Sequence, residues 1–457
     1  MSALLIKNAL LLATADEQLG DIAGADILVE GGEIKAVGKN ISAPGARLFD
    51  ASSCLVLPAF VNTHHHLYQA LTRALVPAQQ AKLFDWLVYH YEIWRHLRAE
   101  DLYAAARAAL AELLLSGCCC SADHHYLVPR HVEDDYFQAE AEAAESLGIR
   151  LVLTRGSMSL GRSRGGLPPD QVVQDEDEIL ADCERVVSRL HQPEPFALRR
   201  VALAPCSPFS VSPELMRRSA ELARKLNVRL HTHLAETLDE EKFCLEKFGC
   251  RPVRYAEELG WLGPDVWFAH CVYLNHQEIK QLARTGTGVA HCPVSNLRLG
   301  SGIAPVPAML RAGVPVGLAV DGSASNDASS MMREASLALL VHRVGTAVDA
   351  MDARLVLRML AVGGARVLGM EKLGRVAPGM AADLTLFDME DLAFAGAWQD
   401  PLAALFFCWS GQRPRMVLVD GRVVVEDGHL VGQDEREIFE KARVASRRLL
   451  SAAGATI

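Results

Sequence analysis

The sequence predicts an α/β protein, a (β/α)8 barrel carrying a small β-sandwich domain assembled from both chain termini. Three observations predict it. Short apolar, β-branched runs alternate with longer helical stretches eight times over roughly 300 residues, the rhythm of a closed barrel rather than an open doubly wound sheet. Both chain ends read instead as short strands parted by turns. His, Glu and Asp recur at the C-terminal ends of the central strands, the rim where such barrels place their sites.

Taken in order, the opening stretch Met1–Thr14 is apolar, but Lys7 and Asn8 interrupt it and Asp16 and Glu17 follow. No small-residue cleavage site closes it, so it reads as a buried strand rather than an export signal. Ala25–Glu30, Gly31-Gly32 and Glu33–Val37 then form a hairpin pattern. Barrel strands are expected at 57–63, 117–122, 150–155, 201–205, 228–232, 266–269, 288–291 and 316–320, with helices at 102–115, 132–147 and 175–190 between them. Ala382–Phe387 and Met416–Gly428 repeat the style of the N-terminus, and 435–453 reads as an amphipathic helix. The expected division is 1–57 and 370–434 for the two parts of the sandwich, 58–369 for the catalytic barrel and 435–457 for the terminal helix.

Composition narrows the function. Apolar residues make up 50% and charged residues 22%, as in an ordinary globular protein. A formal charge of −10 excludes the basic field that a nucleic-acid surface needs. No window carries the ~18 continuous apolar residues of a membrane span. The 11 cysteines include the run Cys118–Cys120 and form no CxxC pair, which fits reduced thiols in the cytoplasm. No Gly-rich phosphate loop follows any strand, so nucleotide cofactors lose support.

The chemistry lies at the strand ends. His64-His65-His66 follows the first strand, His233 and Glu236 the fifth, His270 the sixth, His291 the seventh and Asp321 the eighth. Side chains alternate on an extended segment, so His64 and His66 face one point while His65 turns away. Imidazoles and a carboxylate at one rim make an open, hydrolytic metal site. Zinc is the expected ion, and iron(II) or manganese suits the same ligands. The fourth strand, Val201–Pro205, has no Lys to carry a bridging carbamate, which favours one metal over two.

The ordered set Pro58-Ala-Phe-Val-Asn-Thr-His64-His-His66, His231-Thr-His233-Leu-Ala-Glu236, Ala269-His270, His291-Cys-Pro-Val-Ser-Asn296 and Val320-Asp321-Gly resembles the amidohydrolase superfamily, in its mononuclear deaminase and chlorohydrolase branch. The resemblance covers essentially the whole chain, including Val376–Asp383; Ala59 departs from the family's more usual Gly in a turn detail. It implies that His64, His66, His233 and Asp321 bind the metal, with His231 a supporting strand residue. It also implies that Glu236 shuttles protons to the ring nitrogen, that Asp321 takes the proton of the attacking water, and that His270 steadies the tetrahedral centre. The plain alternative for Glu236 is a helix-capping acid at the surface.

Two loops are expected to select a small heterocyclic substrate. Tyr68–Trp86 follows the His pair, and Gln69 and Arg73 are its candidate ring readers, with Trp86 packing beneath. Arg155 opens the loop after the third strand, where Arg162 and Arg164 read as solvated charges. His124 and His125, together with His291, are expected to line the pocket mouth. These loops resemble those of the branch that deaminates 8-oxoguanine to urate and ammonia, and hydroxytriazine aminohydrolases share much of them. Guanine or another nucleobase, ring opening or chloride displacement, and a catalytically silent binding module are the alternatives. A homodimer is the expectation by analogy with other barrel enzymes.

Overall fold

The computed structural model describes residues 3–130 and 135–455. Eight parallel strands form one sheet in sequential order: β1 (Phe60–Asn62), β2 (Cys118–His125), β3 (Arg150–Ser157), β4 (Arg199–Pro205), β5 (Arg229–Leu234), β6 (Val266–His270), β7 (Gly288–His291) and β8 (Val316–Leu318). Helices separate most of them and cover the outside, as right-handed parallel crossovers require. The barrel closes where the Thr63 amide and hydroxyl both donate to the Leu318 carbonyl, at 3.1 and 3.0 Å. Beyond the closure, Asp321–Gly322 runs parallel to His65–His66, with Asp321 opposite His65. Closing the barrel therefore brings the acid of the eighth strand to the histidines of the first.

The expected first strand, 57–63, is two strands. Cys54–Pro58 pairs with Leu384–Asp388, outside the barrel, and only Phe60–Asn62 enters it. Pro58 marks the break because it cannot donate to a continuing ladder. Helix 132–147 is observed as Tyr136–Leu147, and the start of the expected range lies outside the described residues.

Two further sheets stand beside the barrel. Four strands, all from residues 4–50, form one. The other has seven strands and interleaves the termini, with Cys54–Pro58 between Leu384–Asp388 and Leu11–Ala13. The hairpin at Gly31-Gly32 presses so closely on the C-terminal part that a Cβ on Gly32, where φ is +83°, would lie 2.9 Å from Asp420 Oδ1. Arg150, at the base of β3, ties sheet to barrel through a buried bidentate pair with Asp383 at 2.7 and 3.0 Å. The terminal helix Glu435–Ala452 packs near helix Ala99–Leu114 through Arg448 and Asp101, and Ser446 Oγ donates to the Leu71 carbonyl at 2.6 Å. No helix among the described residues is long and apolar enough to cross a membrane. All 11 cysteines are free thiols, and Cys118–Cys120 are buried in β2.

Candidate metal and catalytic site

Three imidazoles converge at the C-terminal rim, and their hydrogen bonds fix which nitrogen each presents. His66 Nδ1 donates to the His124 carbonyl at 2.7 Å, and His233 Nδ1 donates to the Cys206 carbonyl at 2.6 Å. His231 Nδ1 donates to the Trp267 carbonyl at 3.0 Å, so its Nε2 accepts from His64 Nδ1 at 2.7 Å. A carbonyl oxygen has no proton to give, so each ligand candidate carries its hydrogen on Nδ1 and turns a bare Nε2 lone pair inward.

Those lone pairs meet each other. His66 Nε2 and His233 Nε2 are 3.1 Å apart, and Asp321 Oδ1 is 3.3 Å from the Nε2 of both His64 and His66. His64 Nε2 is fully buried with no hydrogen-bond partner. Acceptors packed against acceptors repel unless a cation lies among them. The donor set His64, His66, His233 and Asp321 thus fits a divalent ion, and its Nδ1 acceptors are the outer supports such a site uses. Burial holds all three imidazoles neutral, well below the usual range for His64, about 4 for His66 and about 3 for His233. Burial works against the Asp321 carboxylate, yet His64, His270 and His66 together hold it well below the ordinary range. Ser295 and Ser325 donate to its Oδ2 at 2.5 and 3.1 Å.

Glu236 and His270 sit beside this set. Glu236 Oε2 is 3.7 Å from His270 Nε2, and His270 Nδ1 donates to Asn296 Oδ1 at 2.9 Å. Burial raises the Glu236 pKa, opposed by His270 and reinforced by Asp321. Burial opposes protonation of His270, but Glu236 and Asp321 outweigh it and raise its pKa. Behind them, Glu240 accepts the Ala235 and Glu236 amides, each at 2.8 Å, and fixes the turn that aims Glu236. His270 and Asp321 hold φ of +74° and +62°, a strained conformation for residues other than glycine, where the chain must aim a side chain into the site.

These groups open onto a cavity of about 400 Å³ including its mouth, lined by His66, Gln69, His233, Glu236, His270 and Asp321 on the polar side. Trp86, Tyr91, Tyr126, Phe209 and Leu299 form much of the remaining wall, which suits a flat ring. Gln69 Oε1 is buried there without a partner, lying where a Cβ on Gly322 would come within 1.9 Å of it.

Several expected pocket residues are placed elsewhere. His65 turns away from the converging donors, to Ser329 Oγ at 3.0 Å. Arg73 reaches Glu112 at 2.7 Å and Ser323 at 3.3 Å, outside the cavity wall. Arg155 is buried under β3, paired with Asp182 at 2.8 Å and stacked on Phe137, because alternation sends it to the outer face of its strand. Its neighbour Arg162 is exposed and paired with Glu92. His124 lies behind the ligand candidates with its ring stacked on His233, whereas His125 points outward to Glu140. His291 faces His342, Nε2 to Nε2 at 3.0 Å, away from the cavity. In place of these, the structure brings Trp86 into the wall and adds Tyr91, Tyr126, Cys206 and Phe209. Ser295 and Asn296, which hold Asp321 and His270, had a legible signal because they stand in the His291–Asn296 motif.

The amidohydrolase family profile matches residues 55–424. The chain is 48% identical over 454 residues to an 8-oxoguanine deaminase from Pseudomonas aeruginosa, spanning 99% of this chain and 100% of that one. It is 36% identical to a hydroxydechloroatrazine ethylaminohydrolase from Pseudomonas sp. strain ADP, over 94% of this chain and 93% of the other. A crystal structure of an atrazine chlorohydrolase from Arthrobacter aurescens TC1 complexed with zinc superimposes with a TM-score of 0.93 at 34% identity, covering 97% of this chain and 100% of that one. The chain belongs to the amidohydrolase family.

Proposed function

We propose that this protein is a metal-dependent hydrolytic deaminase of an aminated oxo-purine, converting 8-oxoguanine and water to urate and ammonia. One observation carries the reading: the bare Nε2 atoms of three histidines and the Asp321 carboxylate converge beside the Glu236–His270 pair on an aromatic-walled pocket. The 48% identity to an 8-oxoguanine deaminase supports the choice of ring.

His64, His66, His233 and Asp321 would hold the ion, and the zinc of the atrazine chlorohydrolase structure supports zinc. When bound, the ion supplies acidified water, the nucleophile that an amidine carbon needs. Asp321, kept anionic by the imidazoles around it and oriented by Ser295 and Ser325, accepts the proton of that water. Glu236, its pKa raised by burial, carries a proton to the ring nitrogen and assists departure of ammonia. His270, whose pKa is lowered by burial but raised overall by Glu236 and Asp321, stabilises charge on the attacking oxygen. Gln69, with its partnerless oxygen, takes a ring N–H of the substrate. We take the reaction to occur in the cytoplasm, and the 11 free thiols support a reducing compartment.

Ammonia release from 8-oxoguanine, guanine, isocytosine and an amino-hydroxytriazine tests the assignment. The largest kcat/KM is expected for 8-oxoguanine. A larger value for the triazine or for guanine would overturn the substrate and keep the chemistry, and no ammonia from any would overturn both.

A further inference from the structure

Behind the site, a second cluster of buried polar groups takes no part in the chemistry above. Asp123 and His125 stand at the end of β2, and Glu140 stands on helix Tyr136–Leu147, which packs outside the barrel. All three residues have no exposed surface. His125 Nδ1 lies 3.2 Å from Glu140 Oε1, and one donor atom from each residue lies within 4.8 Å of the others. Asp123 Oδ2 and both Glu140 oxygens are buried without a hydrogen bond of regular geometry, and His125 has the Leu127 backbone as its neighbour outside the cluster. The Tyr68 and Phe137 rings meet His125 edge-on and the Tyr136 ring stacks on it, which gives the group an aromatic surround. Arg155 is the nearby cation, and it is spent on Asp182.

The remaining Asp123 oxygen reaches the site. Asp123 Oδ1 accepts the Leu67 amide at 2.7 Å, while the next carbonyl, that of His124, accepts His66 Nδ1 at 2.7 Å. Two successive residues of β2 therefore grip His66 and its neighbour. We propose that Asp123, Glu140 and His125 form a buried proton-sharing group whose task is to position His66, so that Glu140, which touches neither substrate nor metal, sets the metal affinity of the site. Two fully buried carboxylates with oxygens within 4.8 Å of each other do not both ionise, so one proton is shared between them and leaves Asp123 shaped to hold Leu67. The chemistry agrees: burial pushes Glu140 up to about 8 and Asp123 well above its usual range, and holds His125 down at about 4.

The inference rests on His66 as a ligand, and a control separates the two. His66→Ala must lose zinc; if it does not, the site reading itself fails. In the holoenzyme, Glu140→Gln keeps a donor for Asp123, whereas Glu140→Leu removes it. Apparent zinc affinity, read by chelator competition on variants with a wild-type circular dichroism spectrum, should fall ~10-fold or more for Glu140→Leu and stay within ~3-fold for Glu140→Gln. Should Glu140→Leu fail to fold, Asp123→Ala, which removes the acceptor of the Leu67 amide, carries the test beside Glu140→Gln: the first must lose zinc affinity ~10-fold or more and the second must keep it, and equal affinity in the two overturns the proposal. Unchanged affinity in a folded Glu140→Leu, or equal damage from Glu140→Gln, would overturn the proposal. So would a second equivalent of zinc in the wild type that Glu140→Leu removes, since the cluster would then hold a cation in place of a proton.

Discussion

Replacing Glu236 by Gln separates metal support from proton transfer. The side chain is buried, 3.7 Å from His270 Nε2 and 3.5 Å from Ser301 Oγ, and it is absent from the converging Nε2 set. Gln preserves its volume and the Ser301 contact, and it cannot exchange a proton at neutral pH. Metal content should therefore match wild type. Loss of one positioned acid–base costs about 10²–10⁴ in kcat. That is ~3–5 kcal/mol on the barrier at about 1.4 kcal/mol per decade. Ammonia release under saturating 8-oxoguanine gives kcat, and atomic absorption on the same preparation gives metal per chain. A variant with full metal and near wild-type turnover would refute the role given to Glu236. A variant that loses metal along with activity would make it a support of the ion instead. His233→Asn is the contrasting case, expected to lose both together.

Other outcomes follow from the same geometry. His231→Phe leaves the buried His64 Nδ1–H without its acceptor at 2.7 Å, so zinc affinity measured by chelator competition should weaken by about 10–100-fold. Affinity equal to wild type would mean that the relay to Trp267 does not set the His64 tautomer. Glu240 has its pKa raised by burial from 4.5 to about 7. A raised folded value stabilises fully below the unfolded pKa and is lost as pH rises through the folded one. Wild type should therefore lose melting temperature as pH rises from 5 to 8, and Glu240→Gln, which cannot ionise, should depend less on pH over that range. A steeper dependence would contradict this.

Much of the site was legible in the sequence because alternation along a strand is a strong constraint. His64-His-His66 faces one point with its outer members for that reason, and barrel closure against Asp321 then follows from topology. The same rule, applied to the adjacent pair His124 and His125, allows only one of them to face inward, and His124 is the one. Arg155 shows the limit. A charged residue at a strand end suggests the rim, but alternation puts Arg155 on the outer face, where it pairs with the Asp182 carboxylate of the following helix, and residues 27 apart in sequence give no local sign of that pairing. His291 is likewise taken by His342, on the outer helix Met331–Gly345. The aromatic wall was not legible: Trp86 and Tyr91 share the buried face of helix Leu83–Trp94, but the cavity that face meets is set by the loop that carries the helix, and Phe209 lies in a turn. At Pro58–Ala59 one apolar run hides a passage between two sheets, which hydropathy cannot divide.

The claim that one ion held by His64, His66, His233 and Asp321 drives deamination is tested most directly by rebuilding the site. Protein stripped with a chelator is titrated with zinc while ammonia release from 8-oxoguanine is followed. Activity should start near zero, rise linearly and break at one equivalent of zinc per chain. Ammonia release that persists in the stripped protein, or that rises without a break near one equivalent, would contradict the account.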